Sequence, residues 1–384
     1  MRRNLPHVLV IGAGIIGAAT AFYLRRAGVR VTVLEADTPS AGATGASDGA
    51  VSVASKRPGT MMRLARASRD MYQLLAGEGV LTGVFHTRPT YLFARTPEEV
   101  AVIEDQGHDL ASEGEDVLSL SRNDLLRRIP GLGSAVLTGL KVPHDGHAIG
   151  YQVVNQLFAH AQVEPRRQTP VKKLIIVNGR VTGVQTHDEV IAADVVVMAA
   201  GLGSGSLIGL ENILIPRKGQ LIVTDRATLG GPAMPGPLMS AGYLAAKRSI
   251  SPVLYAINLV IDPLQTGQFL IGSSHEAGVT DRQTDARTVS AILRDALEVY
   301  PALARQRVIR TFAGVRATTR DGLPVVGRHP SIEGLIVATG MQGDGICLAP
   351  LIGAATARFA CDLAPEIDIS ALTPSRFAPT KLAV

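Results

Sequence analysis

Apolar residues along this chain gather in short runs broken by glycine, with helical stripes between some of them. Val8 to Ile11 is such a run. It leads into Gly12, Gly14 and Gly17, an amphipathic stretch to Arg26, a stop at Gly28, and a second run from Val31 to Leu34. Brief glycine-bounded runs read as buried strands, and the amphipathic stretch between them reads as a helix, which predicts a βαβ unit. Val171 to Val184 alternates around Asn178 and Gly179 and predicts a hairpin. Val195 to Met198 and Leu335 to Ala338 predict two more short strands, the second ending at Gly340 ahead of a helix that starts near Gly345. In "DARTVSAILRDALEVY" a helix capped by Asp285 is expected, packed through Leu293 and Leu297.

The chain has 384 residues, 46% hydrophobic and 18% charged, with 40 glycines, the profile of a loop-rich globular enzyme. Thirty-eight Lys and Arg against 33 Asp and Glu leave +5, spread along the sequence with no basic stripe interleaved with aromatics. Nucleic-acid binding is therefore not expected, and small anionic substrates suit the sign. Cys347 and Cys361 are the only cysteines, too few for a disulfide framework or a four-cysteine zinc or iron–sulfur site. They read as small apolar side chains in a reduced compartment. The start "MRRNLPHVLVIGAG" pairs arginines with an apolar run, yet its glycines mark a strand entering a turn and no small-residue cleavage site follows. No run of about 18 apolar residues occurs, so no membrane-spanning segment is expected. The expected location is the cytoplasm, or the membrane periphery through an electron acceptor.

The strongest motif is the first. Gly12, Gly14 and Gly17 follow a strand and open a helix, and Glu35 stands 18 residues after the last glycine, at the end of the second strand. This is a dinucleotide-binding arrangement. Gly12 makes the turn, Gly14 lets a pyrophosphate approach the backbone, and Gly17 lets helix and strand pack closely. Ile15 and Ile16 add first-turn amides, while Glu35, with Ala36 beside it, receives an adenosine ribose. FAD and NAD share this fingerprint, so the next segment decides. "SAGATGASDGAVSVASKRPG", Ser40 to Gly59, reads either as a flexible surface loop or as a second cradle, with Thr44 and Ser47 hydroxyls and the backbone at Gly45 and Gly49 wrapping a cofactor that runs deep. A nicotinamide enzyme would proceed directly to another βαβ crossover; this chain does not, which favours FAD.

The fingerprint, "GATGASDGA", "VVVMAAGLGS", "PRKGQ" and "GVRATTRDGLPVVG" occur in an order that resembles the FAD-dependent amine oxidoreductases of the D-amino-acid-oxidase type, which include glycine oxidase and sarcosine oxidase. "FLIGSSHE" and "GDGICLAP" look similar to the flavin subunits of opine (octopine or nopaline) oxidase, D-hydroxyproline dehydrogenase and hydrogen cyanide synthase. The resemblance implies an α/β fold: a discontinuous Rossmann-type, glutathione-reductase-like FAD domain (1–87, 144–215 and 311–384) interleaved with an α+β substrate domain on a mixed or antiparallel sheet (88–143 and 216–310). It implies oxidation of an opine or D-amino acid by hydride transfer from Cα to flavin N5, followed by imine hydrolysis. It also implies partners: a larger flavin- or nucleotide-binding subunit, a small iron–sulfur subunit, and an FMN at an interface. Alternatives are a stand-alone glycine or D-amino-acid oxidase using O2, a D-hydroxyproline dehydrogenase subunit, and a scaffold whose FAD is structural.

Residue roles follow from the same resemblance. Arg316 is expected to fork onto the substrate carboxylate, although Ala317 replaces the proline usual after it. Tyr243 corresponds to a tyrosine of the substrate lid. Val171 falls where a backbone contact to adenine is expected, and a plain buried strand residue fits equally. Ala200, Gly201, Gly219 and Gly314 are placed against the cofactor. Gly343, Asp344, Gly345 and Ile346 are placed at the N1 and O2 edge of the flavin ring, where helix-start amides would favour the reduced state. Arg217, Lys218, Lys247 and Arg248 are candidates for a further polar group on the substrate. In sarcosine oxidase a cysteine tethers the flavin; Gly314 occupies that position, so dissociable FAD is expected. The histidines, including His144 and His147 in a turn, show no metal-ligand spacing, and no metal is expected.

Overall fold

The computed structural model describes residues 5–226, 234–248 and 254–377. A five-stranded sheet carries the glycine fingerprint. Its strands run in the order Val325–Arg328, Leu335–Thr339, Val195–Met198, His7–Ile11 and Arg30–Leu34; all are parallel except the first of these. Both faces are covered. Val8 and Val10 pack towards the helices Ile15–Arg26 and Gly345–Ala360, whereas Leu9 and Ile11 pack against a three-stranded antiparallel sheet through Val181 and Val184. Burial on both sides explains why these strands read as continuous apolar runs rather than alternations.

The expected hairpin is part of that three-stranded sheet. Lys173–Val177 and Arg180–Gln185 pair across Asn178 (φ 51°) and Gly179 (φ 77°), two consecutive left-handed residues of the kind a tight hairpin turn requires.

The second body is an eight-stranded sheet, with Val308–Thr319, Leu214–Thr224, Phe269–Ala277, Tyr255–Pro263, Leu238–Ser240, Thr90–Ala94, Thr138–Val142 and Leu118–Ser121 side by side. Neighbours are antiparallel except Leu238–Ser240 and Thr90–Ala94, so strands far apart in sequence meet in the middle of the sheet. The strand Val308–Thr319 crosses position 311 and pairs along its length with Leu214–Thr224. It thereby delivers Gly314 and Arg316 from this sheet rather than from the five-stranded one. Behind the sheet lies the helix Ala286–Val299, whose cap Asp285 accepts a hydrogen bond from the Thr288 amide at 2.8 Å. Its buried stripe is Thr288, Ile292, Ala296 and Val299; Leu293 packs against that cluster from the side, as expected, whereas Leu297 is 38% exposed. At about 100° per residue, the face that touches the sheet is centred one position before each leucine.

Among the described residues no helix is long and apolar enough to cross a membrane.

Candidate active site

A cavity of about 720 Å³ runs between the glycine turn and the inner face of the eight-stranded sheet. Three glycines shape its first end. Gly12 has φ 103°, and a Cβ there would lie 2.5 Å from the Ala199 carbonyl oxygen; one on Gly17 would lie 1.9 Å from the Gly12 oxygen. Gly14 is different, because its Cβ would project towards the Thr44 hydroxyl at 3.2 Å and fill cavity space. The loop expected as a second cradle is clamped onto the helix start: the Ile15 amide donates to Thr44 Oγ1 at 3.0 Å, and Ser47 Oγ donates to the Thr44 carbonyl at 2.8 Å. Glu35 accepts from the Ala13 amide at 2.7 Å and the Asp37 amide at 3.0 Å, which fixes its carboxylate at the cavity wall.

Gly12, Gly14, Ile15, Ile16, Glu35, Ala36, Thr44, Ser47, Val171, Ala200, Gly201, Gly219, Tyr243, Gly314, Arg316 and Gly343 to Ile346 all line this one cavity. Gly17, Gly45 and Gly49 do not. Gly17 serves helix–strand packing, Gly45 sits with its Cβ position 2.5 Å from the Ser40 oxygen, and Gly49 (φ 80°) lies against His147. They stand beside lining residues without lining the cavity themselves. The residues present fit FAD: an open cradle at Gly14 that a Cβ would fill, an acid for a ribose, and a second group of helix-start amides on the same cavity where Asp344 precedes the helix Gly345–Ala360. Tyr72 anchors that second turn, donating its hydroxyl to the Ile346 carbonyl at 2.7 Å.

The roof comes from the eight-stranded sheet. Gly314 lies opposite Gly219, and Arg316 opposite Arg217, in the register of their two strands. A side chain at Gly219 would meet Arg316 Nη1 at 2.6 Å, so that glycine makes room for the guanidinium. Arg316 donates to Ser273 Oγ at 3.2 Å and Arg217 donates to Gln342 Oε1 at 3.0 Å. Burial and then the neighbouring Arg316 lower the Arg217 pKa. Burial, Arg217 and Arg316 together push His275 down to about 4, which leaves it neutral near pH 7. Lys218 points to the opposite face, buried beside Asp281 at 2.8 Å and Glu276 at 3.7 Å, and takes no part in the cavity. Tyr243 is on the helix Ala241–Arg248. The side chains of Lys247 and Arg248 lie outside the described residues.

One group escaped the sequence reading. Lys56 lines the cavity, is 6% exposed, and places Nζ 2.6 Å from Asp344 Oδ1. Burial works against its charge, but Asp344 and neighbouring groups outweigh it and hold the ammonium above its ordinary pKa. Gln106 fixes the backbone there by donating to the Lys56 carbonyl at 2.7 Å. A lone lysine among small residues carries no periodic signal, so only the fold reveals it.

The remaining chemistry-bearing groups are structural. His144 pairs with Asp116 at the surface, and His147 is buried, hydrogen-bonded to the Asp48 carbonyl at 3.0 Å and pushed down to about 3 by burial and then Arg88. Burial pushes the Cys347 thiol up to about 11, which removes it as a nucleophile, and Cys361 is only half-buried. Among the described residues no cluster could hold a metal ion.

Comparison with known proteins agrees with this geometry. The chain is 30% identical to glycine oxidase of Pseudomonas aeruginosa over 97% of its length and 98% of that protein. It is 28% identical to glycine oxidase of Geobacillus kaustophilus, covering 93% of this chain and 95% of the relative. The solved structure of the Geobacillus enzyme superposes with a TM-score of 0.86 at 25% identity, covering 97% and 99% of the two chains. The profile of the family described as FAD dependent oxidoreductase (DAO) matches residues 7–359. With the glycine fingerprint, the second amide turn and the roofing sheet all facing one cavity, the chain belongs to the DAO family of FAD-dependent oxidoreductases.

Proposed function

We propose that this chain oxidises the Cα–N bond of a small amino acid or N-substituted amino acid, in the manner of glycine oxidase. The observation that carries the reading is Arg316, held on the cavity roof above the space that Gly219 leaves open, where it lines the same cavity as the second amide turn and would lie 3.8 Å from a Cβ placed on Gly343.

FAD, when bound, supplies the acceptor for the two electrons and hydrogen leaving Cα, and the imine so formed takes up water to give a 2-oxo acid and an amine. The chain's own residues bind and orient. Gly12 to Ile16 and Glu35 would hold the nucleotide end of FAD, Val171 its adenine, and Ala200 and Gly201 the stretch further in. The planar Arg316 guanidinium suits bidentate capture of the substrate carboxylate. Tyr243 closes the same space from its helix. The amides following Asp344 would stabilise the negative charge that develops when the bound group is reduced. Arg316 adds positive potential around a bound ammonium, which favours loss of its proton, and the reaction requires a neutral amine. No side-chain base is then needed.

The test is anaerobic mixing of the holoenzyme with glycine, sarcosine, D-amino acids, D-hydroxyproline and opines, followed at the flavin absorbance maximum. Rapid bleaching by one of these classes is the expected result, and an unchanged spectrum with every member would sink the proposal. Readmitting O2 separates two forms of it. Fast recolouring identifies an oxidase of the glycine-oxidase kind. Slow recolouring identifies a dehydrogenase that passes electrons to partner subunits, as the opine-oxidase resemblance implies, and those chains and an interface FMN would then be sought by co-purification.

A further inference from the structure

Arg217 and Arg316 are direct cross-strand neighbours on the cavity side of the eight-stranded sheet. Side chains so placed have Cβ atoms about 5 Å apart, and like charges opposite one another destabilise a sheet. The local structure does little to offset this. Each guanidinium is held by one neutral acceptor, Gln342 Oε1 at 3.0 Å and Ser273 Oγ at 3.2 Å, and among the described residues neither forms a salt bridge to a carboxylate. The acid that most nearly offsets Arg217, Asp344, has Oδ1 only 2.6 Å from the Lys56 ammonium. His275, the titratable neighbour of both arginines, is neutral and adds no negative charge. Two partly buried cations with donors to spare form a site for two negative charges.

We propose that the substrate is a dicarboxylate amine: Arg316 takes the carboxylate next to the reacting carbon, and Arg217 takes a second carboxylate a few bonds away. The assignment rests on the amino-acid oxidation reading above and narrows its substrate class. Arg217 is not among the residues lining the cavity itself, whereas its partner Gln342 and its neighbour Arg316 are. Arg217 thus stands beside Arg316 and against the lining residue Gln342, and in this assignment it meets the outer end of a ligand and leaves the reacting end to Arg316. A substrate with one carboxylate would leave this second guanidinium unsatisfied.

The experiment titrates unreactive acids into the oxidised holoenzyme, following the flavin difference spectrum and the heat of binding. The probes are acetate, propionate and butyrate against malonate, succinate and glutarate. At least one dicarboxylate is expected to bind about ten- to a hundredfold more tightly than the matching monocarboxylate, the range of one charge-assisted pair. Arg217→Gln should abolish that advantage while leaving monocarboxylate binding intact, Arg217→Lys should restore part of it, and Arg316→Gln should weaken both classes. Equal binding of the two classes by the wild-type protein, or equal loss of both in Arg217→Gln, overturns the dicarboxylate assignment alone. If no acid of either class binds, the amino-acid oxidation reading falls as well, and the two failures are thus told apart.

Discussion

The Lys56 ammonium lies 2.6 Å from Asp344, the residue immediately before the helix Gly345–Ala360. The two are 288 positions apart in sequence, so this contact ties the loop after the glycine fingerprint to the second amide turn. Removing one member of a buried pair costs about 3–5 kcal/mol, because the other is left without its counter-charge. Asp344→Asn should be the more damaging change, since Lys56 is the more deeply buried partner, at 6% exposure against 17%. Lys56→Met leaves Asp344 at a helix N-terminus, where a negative charge is favourable. Thermal melts of both single variants and the double variant test this: the double should be less destabilised than the sum, and strict additivity would show that the pair does not couple.

The glycines of the fingerprint should separate by function. Gly17→Ala drives a Cβ into the Gly12 carbonyl at 1.9 Å and is expected to prevent folding, read as insoluble protein. Gly14→Ala meets only the Thr44 hydroxyl at 3.2 Å, so the chain should fold, yet the methyl group occupies the phosphate cradle. Colourless, folded protein after gel filtration is the expected outcome for Gly14→Ala. Flavin retained at the wild-type ratio would show that the cradle lies elsewhere.

Acid should weaken the fold through His147. Its pKa is held at about 3, below the ordinary 6.5, so the unfolded chain binds a proton that the folded chain refuses. Stability is complete above pH 6.5 and falls by about 1.4 kcal/mol per unit below it until pH approaches 3. His275, at about 4, acts in the same direction, whereas Asp262 is raised to about 6, by burial set against Arg88, and gains stability as its proton goes on. A comparison isolates the first term. His147→Gln should show a shallower dependence of Tm on pH between 6.5 and 4 than the wild-type protein, and parallel curves would count against it.

The flavin should be dissociable. Gly314 stands where the resemblance places a tethering cysteine, and a Cβ there would lie 2.6 Å from the Ala46 Cβ, so no thiol could be housed without shifting the loop. Acid precipitation should leave a white pellet and a yellow supernatant. Colour remaining on the precipitated chain would contradict this.

How far the sequence was legible depended on how local each cause was. The expected strand Val195–Met198 matches the structure residue for residue, and the helix Ile15–Arg26 ends where Gly28 marks its stop, because a glycine turn and a two-sided burial pattern are encoded within a few positions. The Asn178–Gly179 turn was legible for the same reason. The middle of the large sheet was not: Leu238–Ser240 pairs with Thr90–Ala94 across a long separation, a choice made by packing that no window of sequence contains. Leu297 was misjudged because periodicity gives the spacing of a stripe but not which of two adjacent stripes faces the sheet. In the site, Arg316 came through its motif, while its cross-strand relation to Arg217 required the register. Lys56 had no signal until Asp344 was placed beside it.

Gly353 carries a consequence for molecular length. In the helix Gly345–Ala360 it meets Ala19 of the helix Ile15–Arg26 so closely that a Cβ would stand 2.5 Å from the alanine methyl. The two helix starts that face the cavity are therefore braced back to back, and their separation is set by the thinnest contact two helices can make. The pair works as a ruler: a ligand that satisfies both amide turns must span the gap between them, and one that is half as long can satisfy only one. Apoprotein should accordingly take up FAD far more tightly than FMN or ADP alone, and comparable affinity for the fragments would show that the two ends are read independently.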